Sequence, residues 1–198
     1  MTIDEIVVAS NNLNKIKEIK KIIGDEINLF SLRSIGFNQE IEENGSTFYE
    51  NALIKAKTVA NFIDKPVLAD DSGLVVPYLN GDPGVCSARF ASLHATDKEN
   101  NDKLLSLLGN TDDRNAKFVC ELVLLFPNGK ILHATGEVSG YILRSPKGNF
   151  GFGYDPLFYS YELKKTFAEV TDEEKNLVSH RARAVKSLLS KIKKLNDL

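Results

Sequence analysis

The chain has 198 residues, 42% of them hydrophobic and 26% charged, which excludes a disordered or fibrous chain and marks a globular one,. At this length roughly 70% of the unfolded surface can be buried, so neither metals nor disulfides are needed to hold a core. The formal charge of -2 excludes a generalised attraction to a nucleic-acid polymer or an anionic membrane,.

Ile6 to Ala9 is a β-branched run that predicts a strand, Ser10-Asn11-Asn12 a turn, and Ile16, Ile19, Ile22 and Ile23 a helix beginning near Leu13,. A second strand is expected near Ile27 to Phe30, followed by a loop from Gly36 to Gly45 that carries Glu40, Glu42 and Glu43. Thr47 and Glu50 form a capping box, and Phe48, Ala52, Ala56, Val59 and Ile63 line one helix stripe behind it,. Asn51 and Lys55, four apart, share a different face,. Pro66 to Ala69 reads as a buried strand that delivers Asp70-Asp71-Ser72-Gly73 at its end.

Further on, a helix is expected over Lys98 to Leu108. Two longer strands, Lys117 to Phe126 and Ile131 to Tyr141, flank the hairpin signal Pro127-Asn128-Gly129-Lys130 and imply an antiparallel part,. Lys147 to Pro156 is a loop of glycines and aromatics, and Ala184, Leu188, Ile192 and Leu195 mark a last helix. With no repeat or low-complexity linker, residues 1–198 read as one α/β domain with a shared core. Cys86 and Cys120 lack metal-ligand or disulfide spacing, which suits a reduced, cytoplasmic chain,. The acidic start, Met1 to Glu5, does not read as a targeting peptide, and the apolar run Phe118 to Phe126 is too short for a membrane span,.

Four segments carry candidate chemistry. The turn Ser10-Asn11-Asn12-Leu13-Asn14-Lys15 presents a helix N-terminus and a lysine, which suit an anion; the same residues also suit a plain helix cap,. Glu42, Glu43, Asp70 and Asp71 offer the one or two carboxylates that Mg²⁺ takes alongside phosphate oxygens and water, or else a solvated loop and a turn,. Strand alternation lets only one of Asp70 and Asp71 share a side with the loop acids. Lys147 to Pro156 could bring backbone and ring faces up to a base, or fold its rings into the core,. Finally, Thr171 and Glu174 make another capping box, followed by Ser179-His180-Arg181; Lys175 and Arg181 are donors without acceptors, and His180 lacks the partners of a general base,.

In order and spacing, these segments resemble the inosine triphosphate pyrophosphatase family, the non-standard purine nucleoside triphosphate pyrophosphatases. The resemblance rests on Ser10-x-Asn12-x-x-Lys15, Thr47-Phe48-x-Glu50-Asn51-Ala52-x-x-Lys55-Ala56, Ala69-Asp70-Asp71-Ser72-Gly73-Leu74, Pro83-Gly84-x-x-Ser87-Ala88-Arg89, Gly151-Phe152-Gly153-Tyr154-Asp155-Pro156 and Ser179-His180-Arg181. It implies a two-lobed α/β fold with an elongated mixed sheet flanked by helices, a homodimer, an active site in the cleft between lobes, and Mg²⁺-dependent cleavage of ITP, dITP or XTP into monophosphate and pyrophosphate.

The resemblance also implies roles. Ser10 to Lys15 and Lys55 would hold the phosphates, Glu43 and Asp71 would bind Mg²⁺, and Asp71 would accept the proton of the attacking water. Asp70 would then face away from the metal. Ser72 would follow Asp71 into the substrate shell, and Phe152, Gly153, Tyr154, Asp155, Lys175, His180 and Arg181 would form the base pocket. Asn11 departs from the glycine common in the first motif, although Asn tolerates the same backbone angles better than most residues. The alternatives are a related Maf-like pyrophosphatase acting on another base and a non-catalytic nucleotide-binding protein.

Overall fold

The computed structural model describes residues 3–196, so the reading of Met1 and Thr2 lies outside the described residues. In chain order the elements are β1 (Glu5–Val8), α1 (Leu13–Ile23), β2 (Asn28–Ser31), α2 (Phe48–Ala60), β3 (Val67–Val75), α3 (Asp97–Leu108), β4 (Asn115–Leu125), β5 (Ile131–Ile142), β6 (Phe158–Ser160), β7 (Lys165–Thr166), α4 (Asp172–Val178) and α5 (His180–Asn196), with short 3-10 turns between some of them. The strands form one seven-stranded sheet in the order β2-β1-β3-β4-β5-β6-β7. β1 runs parallel to β2 and β3, whereas β5, β6 and β7 are successively antiparallel, so the sheet is mixed as expected.

The chain divides into two compact units, one made of Met1–Asp71, Cys120–Gly136 and Arg181–Leu198, the other of Ser72–Val119 and Glu137–His180. In the first, strand alternation sorts the core into two layers. Ile6, Val8, Leu68, Cys120, Leu122 and Leu124 pack with Ile19 and Ile23 of α1 and with Ala184, Val185, Leu188 and Ile192 of α5. The intervening residues Val7, Ala9, Val67, Ala69, Val123 and Leu125 pack with Ala52, Ala56 and Val59 of α2. The second unit has its own cluster, including Leu74, Leu104, Leu108, Phe118, Tyr154, Phe158 and Phe167.

One correction concerns β3. Asp70-Asp71-Ser72-Gly73 is not a turn at a strand end, because β3 continues through it to Val75. The acids remain in strand geometry because each finds a cation, without which burying a carboxylate would be prohibitive. Gly73 serves a close approach: a Cβ there would stand 2.2 Å from Ser87 Oγ and 2.6 Å from the Gly84 carbonyl. Ser87 Oγ in turn accepts the Leu74 N–H at 2.9 Å.

The capping boxes at Thr47/Glu50 and Thr171/Glu174 are present as expected. Another at Thr96/Glu99 starts α3 at Asp97, one residue before the expected start.

Candidate active site

Asp70 and Asp71 are adjacent in β3, so their carboxylates leave opposite faces of the strand. By the alternation that sorts the core, Asp70 follows Leu68 toward α1 and α5, and Asp71 follows Ala69 toward α2. On the α2 side, Lys55 Nζ donates to Asp71 Oδ1 at 2.9 Å and to Glu43 Oε2 at 2.8 Å. Asn51, one turn earlier on α2, donates to Asp71 Oδ2 at 3.3 Å and accepts the Gly45 N–H at 2.8 Å. Asn51 thus ties the loop that bears Glu43 to the strand that bears Asp71. The loop approaches so closely that a Cβ on Gly45 would stand 2.7 Å from Asn51 Oδ1.

The electrostatics follow from burial. The Lys55 and Asp71 side chains are each only 9% exposed, so water screens their attraction poorly,. Burial pushes the Asp71 carboxyl above its usual range in spite of Lys55 and Lys15. Glu43 feels burial in the same sense, but the Lys55 charge outweighs it and holds that carboxyl low. Burial alone would lower the Lys55 ammonium; Asp71 and Glu43 together raise it.

On the other face, Asp70 accepts from Lys15 Nζ at 2.7 Å, from Arg181 Nε at 2.8 Å and from Cys120 Sγ at 3.2 Å. Arg181 also pairs with Glu18 of α1. Although Asp70 is fully buried, Arg181 and Lys15 hold it well below the usual carboxylate range. Burial and the neighbouring Asp70 both push the Cys120 thiol well up, so it remains a protonated donor.

In the second unit, Asp155 Oδ2 accepts from Lys175 Nζ at 2.6 Å and from the Phe152 N–H at 3.0 Å. Lys175 Nζ also lies 4.9 Å from the centre of the Phe152 ring. Tyr154 is buried in the core, its hydroxyl donating to the Ser87 carbonyl at 2.9 Å. Phe152 is partly exposed and Phe150 freely so. His180 is buried and stacks on Phe118 with ring centres 4.8 Å apart.

The expected residues therefore fall into distinct groups. Lys55, Glu43 and Asp71 come together as one cluster, while Lys15 and Arg181 meet on Asp70. Lys15 was expected to serve phosphate and Arg181 the base; both cations are hydrogen-bonded to carboxylates here. Lys175, Phe152 and Asp155 gather in a third group. Ser72 is half-buried in β3, and Gly153 has a φ of +60°. In the first turn Asn12 is the N-cap, its Oδ1 accepting from Asn14 N–H at 3.0 Å and Lys15 N–H at 3.1 Å. Ser10 Oγ accepts from Asn12 N–H at 3.1 Å, and Asn11 and Leu13 are exposed.

Sequence reasoning assigned no role to Glu18, Asn51 or Cys120. The spacing of Asn51 to Lys55 on one face was the available signal for Asn51. Glu18 and Cys120 gave none, because their partners lie far along the chain.

Two carboxylates already converging on one cation suit a divalent metal, provided the ammonium moves aside. Among the described residues no group of three His, Cys, Asp or Glu side chains is placed to hold a metal. Glu43 and Asp71 would thus supply the small carboxylate share that Mg²⁺ takes, leaving other positions for phosphate and water.

Fold and site together define an α/β protein with a buried lysine–dicarboxylate cluster. The chain matches the Ham1 family over residues 6–191. It is 46% identical to the dITP/XTP pyrophosphatase of Clostridium perfringens, over 96% of this chain and 97% of that one. It is also 46% identical to the protein of the same name from Bacillus subtilis, over 93% and 94% of the two chains. The solved structure of the Staphylococcus aureus Ham1 protein superposes with a TM-score of 0.88 at 43% identity, over 96% of this chain and 98% of that chain. The chain belongs to the Ham1 family, which bears out the resemblance read from its motifs.

Proposed function

We propose that this protein is a nucleoside triphosphate pyrophosphatase that hydrolyses non-standard purine nucleotides, ITP, dITP and XTP, to the monophosphate and pyrophosphate, removing them from the nucleotide pool. The observation that carries this reading is the sharing of Lys55 between Glu43 and Asp71, in a chain nearly half identical to dITP/XTP pyrophosphatases.

Mg²⁺ held by Glu43 and Asp71 would supply charge neutralisation at the phosphate oxygens. Asp71 orients the attacking water and takes its proton. Lys55, displaced from the carboxylates, neutralises charge developing on the departing pyrophosphate. Lys15 and the turn from Ser10 to Asn14 hold the phosphate tail, with Ser72 beside it. No covalent nucleophile is required.

Lys175 is the donor for the 6-oxo group of the base, held in place by Asp155, and Phe152 offers the ring face. Gly153, Tyr154 and His180 shape that pocket. Adenine presents an amino group where hypoxanthine presents an oxygen, so donor would face donor, at about 1–3 kcal/mol per unpaired buried group. Arg181 serves through its pairing with Asp70 and Glu18. The same reading has the protein act as a homodimer in the cytoplasm. Among the described residues no helix is long and apolar enough to cross a membrane.

The test is a panel of ITP, dITP, XTP, GTP, ATP and TTP with Mg²⁺, followed by pyrophosphate release. Preferential cleavage of the first three supports the reading. Equal or greater turnover of TTP or ATP contradicts it.

A further inference from the structure

The backbone of the loop at Gly153 is gripped by α3. Asp97 Oδ2 accepts the Gly153 N–H at 2.7 Å, and Asn101 Nδ2 donates to the Gly153 carbonyl at 3.0 Å. The two side chains are four residues apart and so share one helix face. Between them they hold both peptide groups that flank Gly153, whose φ of +60° is left-handed. A Cβ on Gly153 would meet nothing within 4 Å, so the backbone angle and not lack of space calls for glycine here,.

Neither side chain makes the cap of its own helix. The N-terminus of α3 is already capped reciprocally by Thr96 and Glu99, leaving the Asp97 carboxylate to the loop. Asn101 is buried and its Oδ1 has no hydrogen-bond partner among the described residues. A buried oxygen in that state destabilises a fold, and an apolar side chain of similar volume would remove the burden. What Asn101 contributes is the hold on the loop.

The residue before Gly153 is Phe152, whose ring stands 4.9 Å from Lys175 Nζ; the residue after it is Tyr154, anchored on Ser87. Rotation of the Gly153 peptides would swing the Phe152 ring against that ammonium. We propose that Asp97 and Asn101 are positioning residues for purine recognition, setting the angle between the Phe152 ring and Lys175 without touching the nucleotide. This rests on the reading above, in which Phe152 and Lys175 serve the base.

The test is steady-state kinetics of the full chain with dITP and dATP for the parent, Asp97→Ala, Asp97→Asn and Asn101→Leu. Asp97→Ala and Asn101→Leu are expected to raise KM for dITP about tenfold and to lower the dITP-to-dATP ratio of kcat/KM, with kcat nearly unchanged. Asp97→Asn keeps an acceptor oxygen and restores both quantities. Asn101→Leu also retains the parent Tm, so its effect is not one of lost folding, and it carries the test if Asp97→Ala does not fold. A parent that releases no pyrophosphate from dITP overturns the functional reading and this inference together. An active parent whose two loss variants keep its KM and ratio, or lose only kcat, or are not rescued by Asp97→Asn, overturns the positioning role alone.

Discussion

Lys55 Nζ stands 2.8 Å from Glu43 and 2.9 Å from Asp71, so one ammonium bridges a loop acid and a strand acid. Its removal should leave two convergent carboxylates able to take a cation but no charge to meet the leaving pyrophosphate. Lys55→Met is expected to lower kcat/KM about 100-fold, read by pyrophosphate release, while calorimetric titration still detects Mg²⁺ binding.

The two adjacent aspartates should respond differently to the same change. Asp70 is held ionised by Arg181 and Lys15, so Asp70→Asn leaves buried cations short of a partner and should lower stability by about 3–5 kcal/mol,. Asp71→Asn leaves Lys55 its second carboxylate, Glu43, so its cost in stability should be smaller than that of Asp70→Asn. Its loss should fall on turnover, with nucleotide binding retained. Urea unfolding together with product assays of both variants checks the contrast.

Gly45→Ala places a Cβ 2.7 Å from Asn51 Oδ1 and from Glu50 Cβ, which the loop can relieve only by moving. Glu43 would move with it. The Mg²⁺ concentration for half-maximal rate should rise about 10- to 100-fold, as read from an MgCl₂ titration at saturating nucleotide.

Much of this architecture was legible in the sequence, and what was not has a physical reason. The β-branched run at Ile6, the stripe through Ala52 and Ala56, and the caps at Thr47 and Thr171 are local signals, and all appear in the fold. Asp70-Asp71-Ser72-Gly73 has the composition of a turn, and only its partners make it a strand. Arg181 lies 111 residues away from Asp70, so no window of sequence contains the compensation. Alternation established that the two acids must diverge, yet not which helix each would meet. The same limit hid Glu18, which reads as a solvated acid on the lysine-rich α1 until its pairing with Arg181 is seen.

Three glutamates that accept hydrogen bonds from nearby serine and threonine groups make a prediction about pH. Hydrogen bonds hold Glu50, Glu99 and Glu169 below the usual carboxylate range, chiefly from the Ser46 hydroxyl, the Thr96 N–H and the Thr166 N–H respectively. A carboxyl depressed in the folded state stabilises it above the unfolded pKa, and that contribution is lost as pH falls through the folded value. Tm should therefore drop on acidification below about pH 4.5. Glu99→Gln should flatten part of that slope, as followed by thermal unfolding across the acid range.

The most direct measurement of the central claim is hydrolysis of dITP with Mg²⁺ in ¹⁸O-labelled water, with the products resolved by mass. Attack at the α-phosphorus predicts pyrophosphate free of label and a monophosphate carrying one ¹⁸O, both lost in Asp71→Asn. Label in pyrophosphate, release of orthophosphate alone, or parental turnover by Asp71→Asn would contradict it.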